Sequence, residues 1–291
     1  MARIPHTLAS SQARRDPPQP RGIFDASDLM WQINREAVLL LAGPRALLMQ
    51  LAHPLVALGV FHNSDFPHDS IGRLRRTLDA MLGIIFGSRE EARAWGDHLA
   101  EIHRGIRGVT PRTLGGTPPG TPYSALDPDL LLWVHATLLD SARVAYETFV
   151  RSLSAEERDR LYAESRRMAP LLRIPEESLP PDRRALEAFM RETEANGTLE
   201  VTDEARALAR DVLWPRVGIP LGAVSAPLRL VTAGLLPAQL RSAFELPWSP
   251  AREKAFALTG SLVRCGHRLL PDRIRTFPKA RHPLGPPGSP S

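Results

Sequence analysis

The chain holds a single cysteine, Cys265, among its 291 residues. One thiol closes no disulfide within the chain and builds no Cys-based metal cluster, because both need several. Cys265 reads as a small packing residue. Lysine is nearly missing too: of 37 basic residues only Lys254 and Lys279 are lysines. Such a bias, beside abundant Ala and Pro, reflects GC-rich coding more than a phosphate-binding surface. The formal charge of +5 and pI of about 10.1 raise nucleic acid as a partner. Bases and acids are interleaved, however, as in EERDRLYAESRR (156–167), which is the pattern of a solvated helix face, so no nucleic-acid partner is expected. No GxGxxG, Walker loop, GxSxG or HExxH occurs, which removes the usual nucleotide, acyl-transfer and zinc-protease readings. Carboxylate-bridged di-iron bundles need Glu-x-x-His twice, and the nearest approach is the reversed His98-Leu-Ala-Glu101. The N-terminus, MARIPHTLASSQARRDPPQP, has no apolar segment after its arginine pair and fits neither a secretory nor a twin-arginine signal; cytoplasmic residence is the expectation.

What is present is the composition of a folded protein: 43% hydrophobic and 24% charged residues. The most apolar stretch, AVLLLAGPRALLMQLAHPLVALGVF (37–61), raises the question of a membrane span. Gly43-Pro44 and Arg45 cut it into pieces too short to cross a bilayer, and two buried helices are expected instead. Residues 1–21 and 279–291, rich in Pro, Ser, Gly and Arg, read as disordered tails around one domain over 22–278. Within it Ser27 can cap a helix to about Ala42, Pro44 suits the first turn of one to about Phe61, and Asp69 or Ser70 starts a third to about Phe86. Ser88 with Glu90 and Glu91 starts a fourth, to about Ile106. GVTPRTLGGTPPGTPYSALDP (108–128) follows as a long loop, then a strongly amphipathic helix over 128–153 and a capped one from Ser154 to about Met168. Further helices fit at about 181–195, 201–214, 225–235 and 249–270, with no alternating strand pattern, so the fold class is all-α.

Several polar residues fall where core is expected. Leu131, Leu132, Leu138 and Leu139 lie three or four residues either side of His135 and share its face, which aims the imidazole into the apolar interior. It is either a core histidine bonded to a carbonyl or a ligand to a metal or haem iron. His103, with Leu99 and Ile106 on its helix face, has a similar setting, and His98 points elsewhere around the axis. Arg73, Arg76 and Thr77 share one face of the helix after the 62–69 loop; two guanidinium groups beside a hydroxyl can hold a carboxylate, or they are surface charge.

Together these segments resemble the oxygenase family typified by the latex-clearing rubber oxygenases and the fungal ER-bound oxygenase MpaB. The resemblance rests on NREAVLLLAGPRALLMQLAHPLVALGVFHNSDF (34–66), RLRRTLDAMLGIIFG (73–87), IHRGIRG (102–108) and YSALDPDLLLWVHATLLDSARVAYETFV (123–150), in the family's order, and runs more loosely to about Pro215. It implies a single globin-reminiscent multi-helix domain with an internal pocket for haem b. It also implies a histidine on the iron, and oxidative attack by dioxygen on an apolar, unsaturated or isoprenoid-like small molecule. By position His103 matches the family's axial histidine and is the expected iron ligand, with His135 second; Arg73, Arg76 and Thr77 match its residues beside the haem. Rubber-cleaving members carry lysine where this chain has Arg76, which leaves oxygen activation and substrate open, since arginine stays charged. His53, before Pro54 at a helix break, can bond freed backbone carbonyls and reads as structural, with pocket lining as the sharper alternative; His62 reads as a turn residue. The competing expectation is a non-catalytic helical protein that binds a lipid or a partner. A peripheral membrane contact, for instance through the Leu- and Arg-bearing helices of 225–243, is a further expectation.

Overall fold

The computed structural model describes residues 22–63, 70–214 and 222–281. The architecture is all-α, with one small antiparallel hairpin. The first predicted helix is broken. Helix α1 spans Leu29–Asn34, and a 3₁₀ helix follows at Ala37–Leu41. Between them Glu36 is buried and extended, bridged to Thr276, with its carboxylate 2.8 Å from His267 Nε2 and 3.7 Å from Arg275 Nε. Partners more than 200 residues away pull this residue out of helical geometry.

The long apolar stretch folds as α2 (Ala42–Leu51) and α3 (Pro54–Asn63), bent by 104° at Ala52-His53. The residue before a proline is pushed out of the helical region, which places the break at His53. Among the described residues no single helix is long and apolar enough to cross a membrane. Leu48, Met49, Leu51 and Ala57 of this pair are fully buried in the main core. Arg45 is buried as well: it donates to Leu235 O (2.8 Å), Ser141 Oγ (2.6 Å) and Asp140 (2.6 Å).

Helices α4 (Ser70–Phe86) and α5 (Arg89–Gly105) form an antiparallel pair, with Ser88 capping α5 through the Glu91 N–H. They approach closely because Gly83 has no side chain: a Cβ there would lie 2.0 Å from Trp95 Nε1. The Gly/Pro/Thr-rich stretch, expected as a loop, contains strands β1 (Arg107–Val109) and β2 (Pro122–Ser124), with Gly108 opposite Tyr123. Three-residue strands give too little alternation to be read from sequence.

Helix α6 (Pro128–Phe149) runs through the centre; Asp127 caps it and Pro128 occupies its first turn. It packs on α2, where Trp133 Nε1 donates to Met49 O at 3.2 Å. The capping box expected at Ser154 opens α7 (Ala155–Ser165). Then come α8 (Arg183–Ala195), α9 (Asp203–Leu213), α10 (Gly222–Leu235), the unforeseen short α11 (Ala238–Ala243), α12 (Pro250–Leu269) and α13 (Asp272–Arg275). A last 3₁₀ turn, Pro278–Arg281, buries Ala280 and pairs Lys279 with Glu91, so ordered packing runs slightly past residue 278.

Candidate functional site

A cavity opens between α1, α2, α4 and α6, closed at one side by Phe277 and Met168. From α4 it takes Thr77, Leu78, Met81, Leu82, Ile85 and Phe86, and from α6 His135, Leu138, Leu139 and Ala142. Both sets recur at intervals of three and four residues, the spacing of one helical face. Asn34, Thr77, His135 and Ser141 are the side chains on this wall that carry hydrogen-bonding groups besides the methionine sulfurs. Two of these are already engaged: Asn34 Nδ2 donates to Met30 O at 2.8 Å, and Ser141 Oγ accepts from Arg45. The cavity volume is about 140 Å³; counting every gap between the walls out to the open mouth, clear space is about 960 Å³. The smaller figure is the one to set beside ligand clefts of roughly 300–1,000 Å³. A flat macrocycle does not fit the cavity as it stands, and Thr77 on the α4 side is exposed.

His135 is the chemical centre of this cavity. Its side chain is 3% exposed, and Nε2 has no hydrogen-bond partner. Burial lowers its pKa to about 4, so the ring is neutral at pH 7 and Nε2 is free to act as ligand or base. A buried, unpaired ring nitrogen costs about 1–3 kcal/mol, a cost that native cores seldom carry without a compensating role.

Of the other expected residues, Thr77 alone among the described side chains lines the cavity. Thr77 lines the cavity at its rim, and Arg76, next to it in α4, is exposed and does not line it. Arg73 falls one turn earlier in α4, and its side chain lies outside the described residues. His103 is half-buried on α5 and does not line the cavity; burial lowers its pKa, so it too is neutral. It lies on the last turn of α5, the helix packed on α4. Thr77 and His135 thus share one cavity, and His103 lies outside it. His53 is buried at the α2–α3 bend with Nδ1 unpartnered; burial lowers its pKa to about 4, opposed by Asp127 at the start of α6. It does not line the cavity. His62 is exposed, edge-on to Phe61.

Sequence reasoning missed Asn34, Ser141 and Phe277 as cavity residues. Asn34 and Ser141 are single polar residues without a motif, and Phe277 comes from the far end of the chain. One signal was present: Arg45 and Asp140 are charges inside two apolar helices, and such charges are normally paired when buried. Among the described residues no group of three or more His, Cys, Asp or Glu side chains is placed to hold a metal ion by itself. The site is a single-imidazole apolar chamber rather than a multi-ligand centre.

Such a chamber in an all-α domain presents one buried, neutral imidazole to an apolar cavity. Residues 30–265 match the family described as ER-bound oxygenase mpaB/B′/rubber oxygenase, catalytic domain, and the chain belongs to that family. Two mycobacterial proteins, from Mycobacterium tuberculosis and Mycobacterium bovis and both described as uncharacterized, are each 30% identical over 240 residues, covering 79% of this chain and 89% of theirs. No solved structure matches.

Proposed function

We propose that this chain is a haem-dependent oxygenase, with haem b held in the chamber beneath α4, acting with dioxygen on an apolar, unsaturated or isoprenoid-like small molecule in the cytoplasm. Membership of an oxygenase family supports the reaction type. The observation that carries the cofactor is His135 Nε2: neutral, buried and unpartnered in a wall of leucine and methionine. Bound there, haem would supply the iron at which dioxygen is activated. The protein's own contribution is then legible. Leu138, Leu139, Met81 and Leu82 keep water out and accept an apolar chain. The Thr77 hydroxyl is a hydrogen-bond donor at the rim, and the permanently charged Arg76 beside it suits a carboxylate such as a haem propionate.

A second assignment of the ligand rests on a separate observation. His103 is neutral and half-buried, and motif order aligns it with the family's axial histidine. Both imidazoles are therefore tested together. Protein expressed with ample haem should show a Soret band at about one haem per chain. His135→Ala should abolish it and His103→Ala preserve it; the reverse pattern assigns the iron to His103. Colourless protein that stays colourless after haem titration would overturn the cofactor and leave the helical lipid- or partner-binding reading.

A further inference from the structure

Helix α12 is apolar on two opposite faces, and only one of them is covered. Its inner side packs against α6 and α10: Gly260 and His267 are buried, and Phe256 and Val263 join the core around Phe149 and Leu235. Gly234 leaves the room that the Phe256 ring fills. On the outer side Leu258, Leu262 and Leu269 are 60%, 64% and 82% exposed. At 100° per residue these three leucines fall within about 40° of one another, so they form a single stripe. Just past the helix end Leu270 and Ile274 are also exposed, at 43% and 57%. Isolated exposed leucines need no explanation, but three aligned on one helix face, with two more exposed aliphatic side chains just beyond its end, mark a contact surface.

The charges around the stripe select what it contacts. Lys254, one turn before Leu258, and Arg268 and Arg273 beside Leu269 and Ile274 are exposed cations with no acidic partner among the described residues. Asp272 pairs with Arg275, and Glu253, which accepts from Trp248 Nε1, keeps its charge but is outnumbered by the exposed Arg252, Lys254, Arg268 and Arg273. The rim is therefore positive. A second copy docking by the same face would bring cation against cation. The segments 1–21 and 282–291 offer few large apolar side chains to cover the row. In the 225–243 helices, also considered for a membrane contact, Leu235, Leu236 and Leu240 are buried and Leu228 and Leu230 are half-buried, so they expose less apolar surface than α12. We infer that the outer face of α12 is a docking surface for an anionic phospholipid membrane, its leucines lying in the interface and its cations on the headgroups. The inference stands independently of the haem reading, although an apolar substrate for the chamber would be concentrated by such a surface.

The test is co-sedimentation of the full chain with phosphatidylcholine vesicles, with and without phosphatidylglycerol. Binding is expected to the anionic vesicles, weakened at roughly 1 M salt, where exposed charges are screened. The double variant Leu258→Asp/Leu262→Asp should lose roughly tenfold or more of the vesicle-bound fraction. Lys254→Glu/Arg268→Glu should lose binding to the anionic vesicles selectively. All these positions are exposed, so circular dichroism and melting temperature should stay at wild-type values. Failure of the wild type to sediment with anionic vesicles, or undiminished binding by the leucine variant, overturns the inference. So does a lipid-independent dimer that Leu262→Asp dissociates, which would give the face to a second copy.

Discussion

Replacing His135 with leucine separates a functional imidazole from a structural one. The ring sits on α6 among Leu131, Leu132, Leu138 and Leu139, 3% exposed, with Nε2 unpartnered. Leaving that nitrogen desolvated costs the fold about 1–3 kcal/mol, and leucine removes the cost. Leucine differs in shape from imidazole, and swaps of similar volume in a core cost up to about 1.5 kcal/mol. The balance favours the variant by about 1 kcal/mol, the pattern of a site kept for function at the expense of stability. In a chain of this size that gain raises the melting temperature by about 2–4 °C. The assay is urea and thermal unfolding of haem-free wild type and His135→Leu, alongside haem titration of both. Higher stability with abolished haem uptake is expected. A variant less stable by more than about 1 kcal/mol, with haem uptake intact, would refute the reasoning, because it would show His135 to be a satisfied core residue.

Gly83→Ala should destabilise by about 1–3 kcal/mol, read from urea midpoints, because its Cβ would lie 2.0 Å from Trp95 Nε1. Gly266→Ala in α12 meets nothing within 4 Å and should be neutral or stabilising by up to about 1 kcal/mol. Arg45→Met strips Leu235 O and Ser141 of a donor and leaves Asp140 to Arg143 alone, so a loss of about 3 kcal/mol is expected in the same unfolding assay. His53 and His135 both have pKa values lowered from 6.5 to about 4 by burial. Between those values the unfolded chain binds protons that the folded chain refuses, so stability of the haem-free protein should fall as pH drops from 6.5 toward 4, then level off. At about 1.4 kcal/mol per pH unit, each ring contributes up to about 3 kcal/mol to that fall. Unfolding free energies measured across this window should show the slope, and His53→Gln/His135→Leu should flatten it.

Local signals in the sequence located most of the helices because capping is local chemistry. The hydroxyls of Ser88 and Ser154 and the Asp127 carboxylate accept from backbone N–H groups two or three residues on, and no distant part of the chain is needed. The capping box at Ser154–Glu157 and the proline in the first turn of α6 belong to the same kind of signal. Where the reading failed, distant residues decided. A continuous helix from Ser27 to Ala42 fits the local pattern, but Glu36 is drawn out by His267 and Arg275. The extent of the bend at His53 was hidden similarly. Pro54 predicts an interruption, but not that α3 turns through 104° to pack on α9.

The same division explains why sequence could nominate two histidines for one iron. Periodicity fixes a side chain's direction about its own helix axis, and both His103 and His135 lie on apolar stripes. A cavity, however, belongs to the space between helices, and its position depends on how closely each pair packs. Gly83 lets Trp95 press α5 onto α4, which fills the space on that side of the pair. On the other side α4 presents leucine, methionine and Thr77 to α6 across a gap that nothing fills. Separation into a tight face and a loose face depends on side-chain volumes from two helices at once. That is why His135, ranked second from motif order, is the imidazole with a chamber in front of it, while His103, ranked first, lies half-buried outside it.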